Sequence, residues 1–379
     1  MEYYASMRIF ALIALLSAVS AVAQSPAQNP RPATLPAVVS PEVLSDHSVV
    51  FRLRAPKASE VTVSGDYGGQ PGKMVKGEDG VWSFKTDPLP SDVYSYIFTV
   101  DGVRFPDPVN GWIKPGNPPV QSMFSVPGPE SEVYERKPVP HGEVRVVYYA
   151  SKTLGRERRM HIYLPPGYDS SKAHYPVTYL FHGGGEEDFG WEDIGRVNFA
   201  LDNLIAQGKA KPMIVVMPSL YALGPPVPQG RSQDNDELFA RDLAEDVLPY
   251  VESHYRTLPG AANRAMGGLG VGRGMLPDVV WPTLGKFGTV FFVSGGTDPD
   301  RFDALMKQYP GRFDDPANVK VIRFFLGDGR NDASMSASKK LGEEAAKRGY
   351  RVTTFATDGV HGWPSFRRCF VEWVQGAFR

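Results

Sequence analysis

The sequence contains one cysteine, Cys369, so no intramolecular disulfide can form and stability has to come from packing. It has almost no charge excess, with 41 Lys+Arg against 42 Asp+Glu. That balance argues against a nucleic-acid partner and against a polybasic membrane patch. No metal-ligand spacing and no phosphate-cradling loop can be read, so no metal and no cofactor are expected. Beyond the N-terminus there is no apolar run long enough to span a bilayer. Apolar residues make up 42% of the 379 and aromatics 12%, enough to fill more than one core. Cys369 falls in the aromatic-rich stretch from Phe366 to Trp373, which reads as a terminal helix, and a buried structural thiol is expected there.

The N-terminus reads as a targeting segment. Arg8 precedes the run IFALIALLSAVSAVA, which ends in Ala21-Val22-Ala23. A charged region, a short apolar region and a small-x-small site together form a secretory signal peptide over residues 1–23. A start at Met7 gives the more usual opening Met-Arg-Ile-Phe. Export to the periplasm or beyond is expected, with no membrane association after cleavage. Residues 24–39, rich in Pro, Ala and Gln, read as a flexible linker. Residues 40–128 carry short alternating segments (VVFRLRAP, VTVSG, VWSFKT, YSYIFTVDG) separated by turn signals such as Asp101-Gly102, the texture of a β-sandwich. A second linker, rich in Pro and Glu, covers 129–142.

From 143 to 379 the texture changes. VTYLFHGGG, MIVVMP, RAMGGLG, TVFFVSGG, VIRFFLGDG and RVTTFATDG are apolar runs that end in Gly-rich loops. Helical patterns lie at 198–207, 237–254, 333–348 and from Ser365 onward. This alternation predicts an α/β domain with a mostly parallel sheet, its site beyond the carboxyl ends of the strands.

The motifs LFHGGG (180–185), KPMIVVMP (211–218), NRAMGGL (263–269), FVSGG (292–296), GDGRND (327–332) and His361-Gly362-Trp363 resemble, in order, the esterases related to feruloyl, acetylxylan and enterochelin esterase. The resemblance runs from about Tyr148 to the C-terminus. It implies an α/β-hydrolase fold, a carboxylic-ester or carbohydrate-ester ligand, and a nucleophile–acid–base triad in chain order. Residues 40–128 resemble the early-set, isoamylase-type immunoglobulin-like sandwich often joined to such esterases. The resemblance assigns the acid to Asp332, with Asp328 as a close competitor, and the base to His361. The nucleophile turn should read Gly-x-Ser-x-Gly, but the chain reads Gly268-Leu269-Gly270-Val271-Gly272. Glycine has no atom with which to attack a carbonyl, although it relieves the backbone strain of such a turn. Arg273 is a second departure, where the family carries a small residue. Ser294 reads as structural.

The oxyanion hole is a backbone device. Its expected donors are the Val271 N–H and one N–H near Gly183 and Gly184. Glu186-Glu187-Asp188 reads as a solvated loop. Trp112, Trp191 and Trp363 are candidates for stacking on a sugar or phenolic ring, with Trp363 best placed and loop packing an equal alternative for Trp112. Three functions remain open at this point. They are a pseudo-esterase that keeps a ligand pocket, a hydrolase that works through His361 and Asp332 by a non-standard route, and a carbohydrate binder that uses its sandwich. Oligomeric state and acyl or sugar specificity are not readable.

Overall fold

The computed structural model describes residues 36–379 apart from 117, 225–232, 270–274 and 298. The expected signal peptide and all but the end of the first linker lie outside the described residues, as do Gly270, Val271, Gly272 and Arg273. Residues 38–379 form one compact unit.

Residues 40–128 fold as two antiparallel sheets. One holds Glu42–Val43, Val49–Arg54, Val81–Lys85 and Val75–Lys76; the other centres on Val61–Gly65, Asp92–Val100 and Gln121–Val126. The alternation in VVFRLR sets Val49, Phe51 and Leu53 inward, where they meet Val61, Val63, Tyr96, Phe98 and Phe124. This is the sandwich that period-2 patterning predicts.

The C-terminal domain is an eight-stranded sheet. Its strands are β1 (Glu143–Ser151), β2 (Arg156–Leu164), β3 (Val177–Phe181), β4 (Ile214–Pro218), β5 (Arg264–Leu269), β6 (Thr289–Val293), β7 (Arg323–Gly329) and β8 (Arg351–Thr357). The order is β1-β2-β4-β3-β5-β6-β7-β8. The first two strands form an antiparallel hairpin and β3 to β8 run parallel. All five residues of β3 and of β4 are buried, because helices cover both faces. Tyr179, Phe181 and Val216 feed one core cluster and Leu180, Val215 and Met217 the other.

The helices Val197–Ala206, Met335–Lys347 and Trp363–Gly376 fall where periodicity placed them. The 237–254 pattern becomes Gln233–Asp242, a π turn over Leu243–Val247, and Leu248–His254. Cys369 is fully buried in the last helix, as expected, and burial drives its thiol pKa far up.

The second linker is more ordered than its composition suggests. Pro129–Glu132 is a helical turn, Tyr134 is buried, and Asn203 donates to the carbonyls of Val133 and Glu135 at 2.9 and 2.8 Å. The sandwich is fastened to the sheet domain by a buried ion cluster. Asp92 receives Arg367 at 2.9 Å and Arg368 at 2.6 Å, and Arg367 also donates to the Ile194 and Val93 carbonyls.

Candidate active site

The site begins with glycine. β5 passes so close to β3 that a Cβ on Gly268 would lie 2.1 Å from the Phe181 carbonyl oxygen, and its φ is +146°. Only glycine fits there without strain. The sequence pattern requires glycine at this first position of its nucleophile turn, and Leu269 then delivers the chain to position 270 at the carboxyl end of β5. Gly268→Ala is expected to lower stability by at least about 1–3 kcal/mol through overpacking. Urea unfolding is the check, and an unchanged midpoint would contradict it.

The loops after β7 and β8 are laced together. Arg330 N–H donates to Thr357 O at 2.7 Å, and Asn331 N–H to Gly359 O at 3.0 Å. This brings Asp332 to His361, with Oδ2 and Nδ1 3.0 Å apart. The other oxygen, Oδ1, accepts from the Ser334 N–H at 2.8 Å and the Ser334 hydroxyl at 2.6 Å. Burial raises the Asp332 pKa, but the bonds from His361 and Ser334 outweigh it and hold the carboxyl well below its usual range. With Nδ1 donating to a carboxylate, Nε2 is the nitrogen left to act as a base. Asp328 does not compete. Its carboxylate accepts from Ser334 and Ser338, both at 3.1 Å, and burial chiefly pushes its pKa to about 6. Ser294 is buried beside Asp332 and does not line the cavity described below.

The hydrogen bond to Asp332 raises the His361 pKa above its ordinary value, against the opposing effect of partial burial. The folded state therefore favours imidazolium, so this contribution is complete below the unfolded pKa and is lost as pH rises through the folded one. An NMR titration of the His361 ring is expected to give a pKa above about 6.5, and Asp332→Asn should bring it down. No change in the variant would show that the pair is not formed.

The loop after β3 departs from the sequence reading. His182 is buried, its Nε2 accepts from the Leu220 N–H at 2.9 Å, and Nδ1 faces the Gly183 carbonyl at 2.8 Å. Those partners fix a neutral ring, and burial pushes its pKa to about 4. Glu186-Glu187-Asp188 is not a solvated loop. Asp188 is buried and forms a bidentate pair with Arg159, at 2.7 and 2.6 Å. Glu186 is 9% exposed. One of its oxygens accepts the Trp363 indole N–H at 2.7 Å and the other the Gly183 N–H at 3.1 Å. The Gly183 N–H, a candidate for the one donor expected near this loop, is thus occupied by the protein's own carboxylate. Gly184 has no hydrogen bond among the described residues, and Gly185 gives its N–H to the Tyr221 hydroxyl at 2.9 Å. Burial raises the Glu186 pKa, with the nearby Lys114 ammonium opposing.

The tryptophans also need correction as stacking platforms. Trp191 is 1% exposed, gives its N–H to the Phe181 carbonyl at 2.8 Å, and does not reach the cavity. Trp363 does line the cavity, but it is 2% exposed and packed edge-on against Trp191, so it forms a floor. Trp112 is half-buried beneath the Arg196 guanidinium, 5.1 Å from the ring centroid.

A cavity of about 520 Å³ joins these groups. Gly183, Gly184, Glu186, Leu269 and His361 line one side. The sandwich supplies the other side through Asp66, Ile97, Arg104, Lys114 and Gln121. The sequence reading nominated none of these sandwich residues. No motif marks them, because the cavity exists only once the two domains pack. Among the described residues no His/Cys/Asp/Glu cluster suits a metal ion, and no helix is long and apolar enough to cross a membrane.

Strand order, the glycine-bound end of β5, and an acid and a histidine after β7 and β8 define an α/β-hydrolase of esterase type. The family described as "Putative esterase" matches residues 151–274. An endo-1,4-β-xylanase/feruloyl esterase of Xylanibacter ruminicola is 31% identical over 92% of this chain and 47% of that protein. Endo-1,4-β-xylanase Y of Acetivibrio thermocellus is 30% identical over 35% of this chain and 11% of that protein. The chain thus spans about half, or less, of the relatives it matches. Among solved structures, the enterobactin esterase of Shigella flexneri superposes with a TM-score of 0.67 at 17% identity, covering 87% of this chain and 92% of that one. A ferulic acid esterase from Anaeromyces mucronatus gives 0.54 at 23%, over 64% and 93%. The chain is thus an α/β-hydrolase that carries a match to the "Putative esterase" family over about a third of its length and is similar to feruloyl esterases.

Proposed function

We propose that this protein is an exported pseudo-esterase that keeps the family's cavity as a binding site for a carbohydrate-ester or phenolic ligand, with Gly270 in place of the nucleophile. The observation that carries the reading is the Glu186 carboxylate seated on the Gly183 N–H. In an acyl-transfer site that region must be free to receive a developing oxyanion. A fixed carboxylate there repels the charge the reaction would create. Position 270 supports the same reading from the sequence, since it directly follows the last residue of β5 and offers no hydroxyl. Asp332 and His361 remain as a hydrogen-bonded pair with nothing to deprotonate. The printed names of the relatives, feruloyl and enterobactin esterases among them, suggest aromatic or sugar-linked ligands.

Two experiments test this. The protein should show no burst and no turnover above the buffer rate on aryl acetates, while calorimetry should detect binding of phenolic or acetylated xylo-oligosaccharide ligands. Turnover that is lost in His361→Ala would overturn the reading. Export predicts that the mature protein begins at Gln24, and N-terminal sequencing that finds residues 1–23 retained on exported material would contradict it.

A further inference from the structure

The sandwich wall of the cavity is cationic. Lys114 lies on the short strand Ile113–Lys114, directly across from Gln121, and Arg104 lies opposite Thr99 on the edge strand Val103–Phe105. Both line the cavity, and neither side chain has a hydrogen bond or an ion pair among the described residues. Other cations around the domain boundary are matched: Arg367 and Arg368 hold Asp92, and Arg330 holds Asp358. The two carboxylates that feel the Lys114 charge, Glu186 and Asp66, already have donors. Glu186 takes the Trp363 and Gly183 N–H groups, and Asp66 takes the Ser95 N–H at 2.6 Å. The buried Ser95 hydroxyl, also at the cavity, makes no hydrogen bond of normal geometry among the described residues. Ile97, Leu269, Trp363 and Phe366 give the same cavity an apolar side. A volume of about 520 Å³ suits a ring-sized ligand with its polar end fixed by a few groups.

We infer that the cavity is a subsite for a carboxylate-bearing ring compound, whose ring lies on Ile97, Leu269 and Phe366 and whose carboxylate is taken by Lys114 and Arg104 of the sandwich. The carboxylate can come from a free aromatic acid or from a uronic acid unit of an oligosaccharide, since the recognising chemistry is the same. This makes the sandwich a wall of the site rather than an appendage, and it rests on reading the cavity as a ligand site.

The test is calorimetry on the full chain with two matched pairs. One pair is ferulate and methyl ferulate; the other is a glucuronic-acid-substituted xylo-oligosaccharide and its unsubstituted counterpart. A charge-assisted contact predicts that, in at least one pair, the anion binds about tenfold more tightly at low ionic strength. The advantage should shrink in about 0.5 M salt. The pair with the advantage identifies the source. Lys114→Met with Arg104→Met should bring the ratio close to one, whereas Lys114→Arg, which keeps the charge, should retain it. Equal binding within both pairs, an advantage that survives the double substitution, or no binding by any of the four ligands would overturn the inference. Aryl acetate turnover, measured separately, decides the pseudo-esterase reading, so either idea can fail alone.

Discussion

Gly270→Ser is expected to hydrolyse aryl acetates about 100-fold faster than the unsubstituted chain, and the combination with Glu186→Ala roughly 100-fold faster again. The first gain comes from pairing a hydroxyl at the end of β5 with a base already in place. His361 is oriented by Asp332 at 3.0 Å and keeps Nε2 to accept the proton. A positioned general base contributes on the order of 10²–10⁴, and the low end applies because the oxyanion site is still obstructed. The second gain comes from removing that obstruction. Glu186 accepts the Gly183 N–H at 3.1 Å, and one oxyanion donor is typically worth about 10²–10³ in rate. Glu186→Ala also leaves the buried Trp363 N–H without a partner, so the double variant should melt lower even as it works faster. Initial rates with His361→Ala as the control decide the matter. If the folded double variant gains nothing, or its gain survives His361→Ala, the assignment of the site is wrong.

Asp92→Ala is expected to cost about 3–5 kcal/mol of stability. Asp92 is fully buried and Arg367 is 1% exposed, so removing the carboxylate strands a guanidinium with only carbonyl partners. The same pair fastens the sandwich strand Asp92–Val100 to the helix Trp363–Gly376, which begins two residues after His361. The damage should therefore reach the cavity, and ligand affinity should fall together with the melting temperature. Asp92→Leu combined with Arg367→Met, which removes both charges, should recover most of the stability. A melting curve for Asp92→Ala that superposes on that of the unsubstituted chain would contradict this account of how the domains are joined.

Much of this was legible in the sequence, for reasons that particular residues make plain. VTYLF and IVVMP read as parallel strands because both their faces are covered, which leaves no polar alternation. Asp332 and His361 were legible through the esterase resemblance and their order within it, while the choice between Asp332 and Asp328 needed the 3.0 Å contact. Glu186 was misread because a run of three acids in a glycine-rich loop ordinarily faces water. Its indole partner lies 177 residues away, and no local pattern records such a pairing. The tryptophans were misread for the same reason. An indole ring looks alike in sequence whether it faces a ligand or hands its N–H to a buried carbonyl, as Trp191 does to Phe181. Lys114 and Arg104 look like ordinary surface cations on short edge strands until the domains meet.

The most direct test of the central claim is labelling of the purified, full-length protein with a fluorophosphonate probe, followed by peptide mapping, alongside Gly270→Ser. The account predicts that the unsubstituted chain takes up no probe and that the variant is labelled at position 270, because a serine there would complete the nucleophile pattern Gly-x-Ser-x-Gly. Stoichiometric labelling of the unsubstituted chain at Ser294, or at a serine of the cavity, would contradict it.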